Sequence, residues 1–188
     1  MSLMLRNDFV SRGGQKLQYA LDYFKIDVLG KICADLGCST GGFTDCLLKN
    51  GAKKVYAIDT GYGVLDWKLR QDKKVVVMEK TNALFLELPE KVDFVSIDAG
   101  WTLQKKIIPQ ALNLLKGKGD IVSLLKSHYE AERKHLFKGK VKEEFLTEVL
   151  DKVKNDLKDK GVNIVGSVES PLIGQKGGNT EYLIWIKK

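Results

Sequence analysis

Cysteine and histidine are scarce in this sequence, and long apolar runs are missing. Only three cysteines and two histidines stand among its 188 residues. Cys33, Cys38 and Cys46 are odd in number and follow no metal-ligand spacing, and only His128 and His135 could join them. Buried, reduced thiols are expected, and no metal centre. No stretch approaches the roughly 20 apolar residues of a membrane span, and the opening Met1-Ser2-Leu3-Met4 lacks the basic and apolar segments of a signal peptide. Ser2-Leu3 ahead of a second Met reads as an expression remnant, and a cytoplasmic protein is expected. Internal repeats, low-complexity tracts and a second-domain boundary are also absent, which leaves a single domain.

What is present supports a full core and a basic surface. Hydrophobic residues make up 44% of the chain. Lys and Arg number 31 against 24 acids, a net +7, and the surplus gathers at Lys53-Lys54, Lys73-Lys74, Lys105-Lys106 and from Arg133 to Lys142. Such clusters suit a polyanion, nucleic acid foremost.

Strand and helix signals alternate, which predicts a parallel sheet covered on both faces. A first helix capped by Ser11 carries a stripe of Leu17, Ala20, Leu21 and Phe24. Strands are expected at Ile32 to Leu36, Val55 to Asp59, Val75 to Met78, Val92 to Asp98 and Ile121 to Leu125, with Gly51 and Gly161 closing helices. The longest helix is expected over Glu143 to Lys160, packing Phe145, Val149, Val153 and Leu157 into the core. Val162 to Val168 and Glu181 to Ile186 read as two strands with no helix between them, hence an antiparallel hairpin. The fold class is therefore α/β, Rossmann-like, with a mostly parallel central sheet ending in an antiparallel hairpin.

The most informative stretch is Ala34-Asp35-Leu36-Gly37-Cys38-Ser39-Thr40-Gly41-Gly42-Phe43-Thr44, an apolar strand closed by an acid, then a Gly-rich turn and a helix start near Gly42. Glycines permit close approach of a ligand, and the helix start offers free N–H groups. Asp59 closes the next strand 24 residues after Asp35, near the spacing at which α/β nucleotide sites grip ribose hydroxyls. A dinucleotide site would read G-x-G-x-x-G; here an acid precedes the first glycine and G-x-G is missing. A carboxylate at that point would repel a pyrophosphate and suit a cationic amine and sulfonium, which favours S-adenosylmethionine over NAD. A plain strand-turn-helix without ligand is the remaining alternative.

Several blocks in order carry a family resemblance. Ser11-Arg-Gly-Gly-Gln-Lys-Leu17, Asp35-Leu-Gly-Cys-Ser-Thr-Gly-Gly-Phe-Thr-Asp-Cys46, Asn50-Gly-Ala-Lys-Lys-Val-Tyr-Ala-Ile-Asp59 with Gly61-Tyr-Gly63, Met78-Glu-Lys-Thr-Asn82 and Gly178-Asn-Thr-Glu181 closely resemble the FtsJ-like ribosomal RNA methyltransferases of the TlyA, or hemolysin A, group. The resemblance implies methylation of ribose 2′-hydroxyls in ribosomal RNA or ribosomal subunits, with S-adenosylmethionine as donor and S-adenosylhomocysteine as product. It makes 9–188 the methyltransferase domain and 1–8 a remnant or linker. It also implies a catalytic set of Lys16, Asp98, Lys126 and Glu181. Cofactor contacts are expected from Asp35, Gly37, Ser39, Gly41, Gly42, Phe43, Asp59, Asn82 and Asp98.

The chemistry accounts for those residue types. A ribose hydroxyl is a poor nucleophile and must lose its proton as it attacks, so a positioned base is needed. Lysine serves only as the neutral amine; Lys126 is assigned that role, with Asp98 and Glu181 holding the two ammonium groups. The chain departs from the family after Asp98, where Ala99-Gly100-Trp101-Thr102 replaces the usual Val-Ser-Phe-Ile. It departs again after Lys126, where Ser127-His128-Tyr129-Glu130 replaces Pro-Gln-Phe-Glu. Trp101 and Tyr129 could stack a target base or the adenine. A basic stretch, Leu136 to Lys142, replaces the family's Val-Val-Arg-Asp, and the family's small N-terminal RNA-binding domain does not precede the Ser-Arg-Gly-Gly block. Two alternatives follow: a non-enzymatic hemolysin or toxin, and an RNA-binding homologue without turnover.

Overall fold

The computed structural model describes residues 8–174 and 177–188. In chain order the elements are α1 (Gly13–Phe24), β1 (Ile32–Leu36), α2 (Gly42–Lys49), β2 (Lys54–Ile58), α3 (Trp67–Gln71), β3 (Val75–Met78), β4 (Val92–Ile97), α4 (Gln104–Leu114), β5 (Leu115–Lys126), α5 (Ser127–Glu130), β6 (Leu136–Phe137), β7 (Lys140–Val141), α6 (Leu146–Lys158), β8 (Asn163–Glu169) and β9 (Glu181–Lys187). The main sheet runs β3-β2-β1-β4-β5-β9-β8; it is parallel through β5 and antiparallel at β9 and β8, the mostly parallel sheet with a C-terminal hairpin that the sequence predicts. The expected remnant over 1–8 lies, except for Asp8, outside the described residues.

Side chains alternate across a strand, and that parity sorts the core into two layers. Ala34, Leu36, Val95, Ile97, Ile121 and Leu125 meet α4 and α6, while Cys33, Phe94, Val122, Leu124 and Leu183 meet α1 and α2. Continuing the second parity to the strand ends places Asp98, Lys126 and Glu181 on the α1–α2 face. Because β9 runs antiparallel to β5, Glu181 at its start lies opposite Lys126 at the end of β5.

Local structure departs from expectation in a few places. Arg12, not Ser11, precedes α1, and no side chain caps that end; the Ser11 carbonyl accepts from Gly14 N instead. The long helix begins with a 3-10 turn at Glu143–Phe145, so Phe145 caps α6 while Val149, Val153 and Leu157 are buried as expected. The α4 helix has Pro109 inside it. Proline removes a helix donor, but Ile107, Ile108, Ala111 and Leu114 are buried against the sheet and hold the turn in place.

Candidate active site

The turn after β1 is built by close backbone packing. Gly37 and Cys38 donate to the Ile58 carbonyl, both at 2.9 Å. Gly37 has φ +86°, and a Cβ there would stand 2.7 Å from the Asp98 carbonyl, so the chain needs glycine where β1 and β4 end side by side. The starts of α1 and α2 touch as closely: a Cβ on Gly42 would lie 2.8 Å from Gly14 N.

Asp35 does not face the turn's ligand side. Its fully buried carboxylate is covered by α2, where it accepts from Thr44 Oγ1 at 2.7 Å and Ser96 Oγ at 3.0 Å. Burial pushes its carboxyl up to about 7, against the pull of the two hydroxyls. Asp35 does not itself line the cleft above the turn. Gly41 does not line the cleft either, and a Cβ there would run into Leu65 and Leu69. Both residues shape the turn from behind.

Two lobes open over the turn, and Gly37, Ser39, Asp98 and Lys126 line both, making one continuous cleft. The first lobe, of about 390 Å³, is lined by Asp59, Asn82 and an apolar slot of Ile58, Ala83, Leu84 and Ile107. Asp59 Oδ2 accepts from Ser39 N at 2.9 Å and Oδ1 from Gly61 N at 2.8 Å, which fixes the carboxylate's orientation. Asn82 Oδ1 accepts from Leu84 N, turning its amide around the start of a 3-10 turn. A fixed acid for vicinal hydroxyls, an amide for a base edge and a flat apolar slot make a donor set that fits a nucleoside.

The loop above that lobe is held by a residue to which the sequence reading gave no role. Glu79 accepts from Gly63 N at 2.8 Å and Val64 N at 2.9 Å and pairs with Arg70. Burial opposes its ionisation, but the backbone donors and the guanidinium outweigh it and hold the carboxyl down at about 2.

The second lobe, of about 380 Å³, brings the four expected catalytic residues together. Lys126 Nζ lies 2.6 Å from Asp98 Oδ1, and Lys16 Nζ pairs with Glu181 Oε2. Gly42 and Phe43 line the same lobe. Beside Lys126 the Tyr129 ring centre lies 4.9 Å from that of Trp101 and 4.1 Å from that of His128, the rings tilted by 32° and 51°. Trp101 is highly exposed and has φ +57°, a left-handed backbone rare for a large side chain. Burial pushes His128 below the usual imidazole range; Glu181 opposes and Lys126 reinforces the shift. The three cysteines are buried, and burial pushes their thiols up, Cys33 to about 12, which makes them poor nucleophiles and ligands.

Sequence reasoning missed the small hairpin β6–β7 inside the basic stretch, because two-residue strands leave no periodicity to detect. It also gave no role to Asn179, although that residue stands in the Gly178-Asn-Thr-Glu181 block.

The fold and this cleft define an α/β methyltransferase. The family model described as FtsJ-like methyltransferase matches residues 9–188, and the chain belongs to that family. It is 41% identical over 187 residues to the candidate rRNA methyltransferase YqxC of Bacillus subtilis, and the match covers 95% of this chain and 65% of that protein. To the 16S/23S rRNA (cytidine-2′-O)-methyltransferase TlyA of Mycobacterium tuberculosis it is 39% identical, covering 95% of this chain and 68% of that one. A solved Streptococcus thermophilus structure described as a candidate hemolysin superposes with a TM-score of 0.92 at 39% identity, over 97% of this chain and 68% of the other. The chain thus spans about two thirds of the length of these relatives. Among the described residues no helix is long and apolar enough to cross a membrane.

Proposed function

We propose that this chain transfers a methyl group from S-adenosylmethionine to ribose 2′-hydroxyls of ribosomal RNA. The observation that carries the reading is the joining of two lysine–carboxylate pairs to a nucleoside-shaped lobe in one cleft. Asp59 would hold the cofactor's ribose and Asn82 its adenine edge, with Gly37, Ser39, Gly42 and Phe43 along the turn. When bound, S-adenosylmethionine supplies an electrophilic methyl group.

The protein's own residues then do the rest. Lys126, in its neutral amine form, takes the 2′-hydroxyl proton, and Asp98 beside it stabilises the ammonium that forms, as a carboxylate does behind a catalytic base. Lys16, paired with Glu181, lines the same lobe as Lys126 and holds the hydroxyl oxygen in line. The basic residues from Arg133 to Lys142 receive RNA phosphates. We place the domain over 9–188, with 1–8 as linker, and the protein in the cytoplasm.

Incubation with labelled S-adenosylmethionine and separated ribosomal RNAs or subunits tests this. Label in alkali-stable dinucleotides is expected, because a 2′-O-methyl group blocks the hydroxyl that alkaline cleavage needs. Label released as ordinary mononucleotides would place the methyl on a base. Lysis of vesicles without any methyl transfer would favour the hemolysin alternative.

A further inference from the structure

The segment leading into β9 is held from the far side by a residue that no step above uses. Asn179 is 1% exposed, and its amide reaches the β6–β7 hairpin twice. Oδ1 accepts from Val141 N at 2.9 Å, and Nδ2 donates to the Gly139 carbonyl at 3.1 Å. The next residue, Thr180, accepts through its carbonyl from Ser127 Oγ at 2.7 Å, and the one after, Glu181, pairs with Lys16. Three consecutive residues therefore touch the hairpin, the neighbour of Lys126, and Lys16.

The hairpin depends on that hold. Its ladder is Leu136↔Val141 and Phe137↔Lys140 alone, too short to be stable as an isolated ribbon in water. Lys138 and Gly139 at its turn have φ +48° and +79°, the left-handed pair that two-residue hairpin turns use. The exposed tip carries Phe137, Lys138 and Lys140, cations beside an aromatic ring, a combination that meets phosphates and bases of a nucleic acid strand. At its base, Lys142 N donates to the His135 carbonyl at 3.0 Å, and the buried His135 ring stacks 4.7 Å from Phe145. The base is anchored to the start of α6, β7 packs against α5 through the buried Val141, and Asn179 holds the turn at Gly139 and β7 at Val141.

We propose that Asn179 is a positioning residue that ties this basic hairpin to the catalytic cleft, so that RNA phosphate bound at Lys138 and Lys140 is held in register with the Lys16–Glu181 pair. The proposal rests on reading RNA as the substrate. Asn179 touches neither reacting atom; it acts through the hairpin on one side and through Glu181 on the other.

Asn179→Asp tests it with little change of shape. The introduced carboxylate still accepts from Val141 N but faces the Gly139 carbonyl with an acceptor, and protonation restores a donor there. Burial favours the protonated form, so lowering the pH repairs the contact. At about pH 8, ribosomal RNA affinity and single-turnover transfer at saturating RNA should each fall about ten- to a hundredfold, as expected when a buried group is left unpaired, with S-adenosylmethionine affinity unchanged. Relative to wild type at the same pH, both losses should shrink near pH 6. Asn179→Ser, the second arm should the carboxylate prevent folding, should show the same losses with no recovery on acidification. A folded Asn179→Asp protein with wild-type RNA affinity and transfer overturns the proposal, as does a loss identical at both pH values. If wild type transfers no methyl to ribosomal RNA, the substrate reading falls on its own. The hold on the hairpin is then decided by RNA binding alone, and equal affinity and salt dependence in wild type and Asn179→Asp would end it.

Discussion

The two walls of the cleft carry the same chemistry in different surroundings. On the α1–β9 wall the side chains of Lys16 and Glu181 are 7% and 4% exposed, whereas on the β4–β5 wall those of Lys126 and Asp98 are 17% and 27% exposed. Charges buried as deeply as the first pair cannot part without leaving an uncompensated charge in a poor solvent. The second pair stands where water, a hydroxyl or a phosphodiester can reach it. Burial thus divides the labour: Lys16–Glu181 is a frame, and Lys126–Asp98 is the part free to exchange a proton.

The division is sharpest at Lys126. Replacement by alanine should lower methyl transfer by roughly two to four orders of magnitude, the range for losing a general base, while thermal unfolding and cofactor affinity stay near wild type. Comparable loss of transfer and of stability together would mean that Lys126 belongs to the frame. The opposite signature is expected at Lys16. Lys16→Met strands Glu181 and should cost about 3 to 5 kcal/mol of stability, read by denaturant unfolding. Asp98→Asn in the more open pair should cost no more than about 1 kcal/mol, and equal costs at the two walls would erase the distinction.

Asp59 extends the comparison to a carboxylate held by backbone donors instead of a cation. Its replacement by alanine should weaken S-adenosylmethionine binding by about 1.5 to 3 kcal/mol, on the order of ten- to more than a hundredfold, for two lost hydroxyl hydrogen bonds. Calorimetry with unchanged affinity would take Asp59 out of the ribose site.

Asp35 is a third case, a buried carboxyl with hydroxyl partners and no cation. Its value in the folded protein, about 7, lies above the ordinary 3.8. Between those values the folded state keeps a proton that the unfolded chain has lost, so Asp35 costs stability progressively as pH rises through that window. Asp35→Asn removes the titration, and its stability relative to wild type should improve from about pH 4 to pH 8. Parallel stability curves over that range would show that Asp35 ionises in the fold as easily as in water.

Much of this was legible before any coordinates. The strands, their mostly parallel arrangement, the C-terminal hairpin and the Gly-rich turn follow from apolar runs and glycine placement, and the place of Asp59 from spacing alone. Assembling Lys16, Asp98, Lys126 and Glu181 needed the family resemblance, because no local pattern joins residues so far apart in the chain. Asp35 shows what a strand-end position leaves open. It shares the face of Asp98, but it pairs in register with Ser96, two residues short of Asp98, where α2 covers it and Thr44 and Ser96 satisfy it. Pro109 hid α4 behind a breaker that tertiary packing overrides. Asn179 stayed silent since its partners are backbone groups of a hairpin about forty residues earlier, and sequence does not show which loop a buried amide will meet.

The most direct measurement is single-turnover methyl transfer to ribosomal RNA by Lys126→Arg, with folding and S-adenosylmethionine affinity confirmed first. Arginine keeps the positive charge beside Asp98 but stays protonated in a protein. If Lys126 is the base, the variant orients RNA and cofactor yet transfers at the level of Lys126→Ala. Transfer within about tenfold of wild type, less than the loss a missing base produces, would contradict the account and leave Lys126 as a second member of the electrostatic frame.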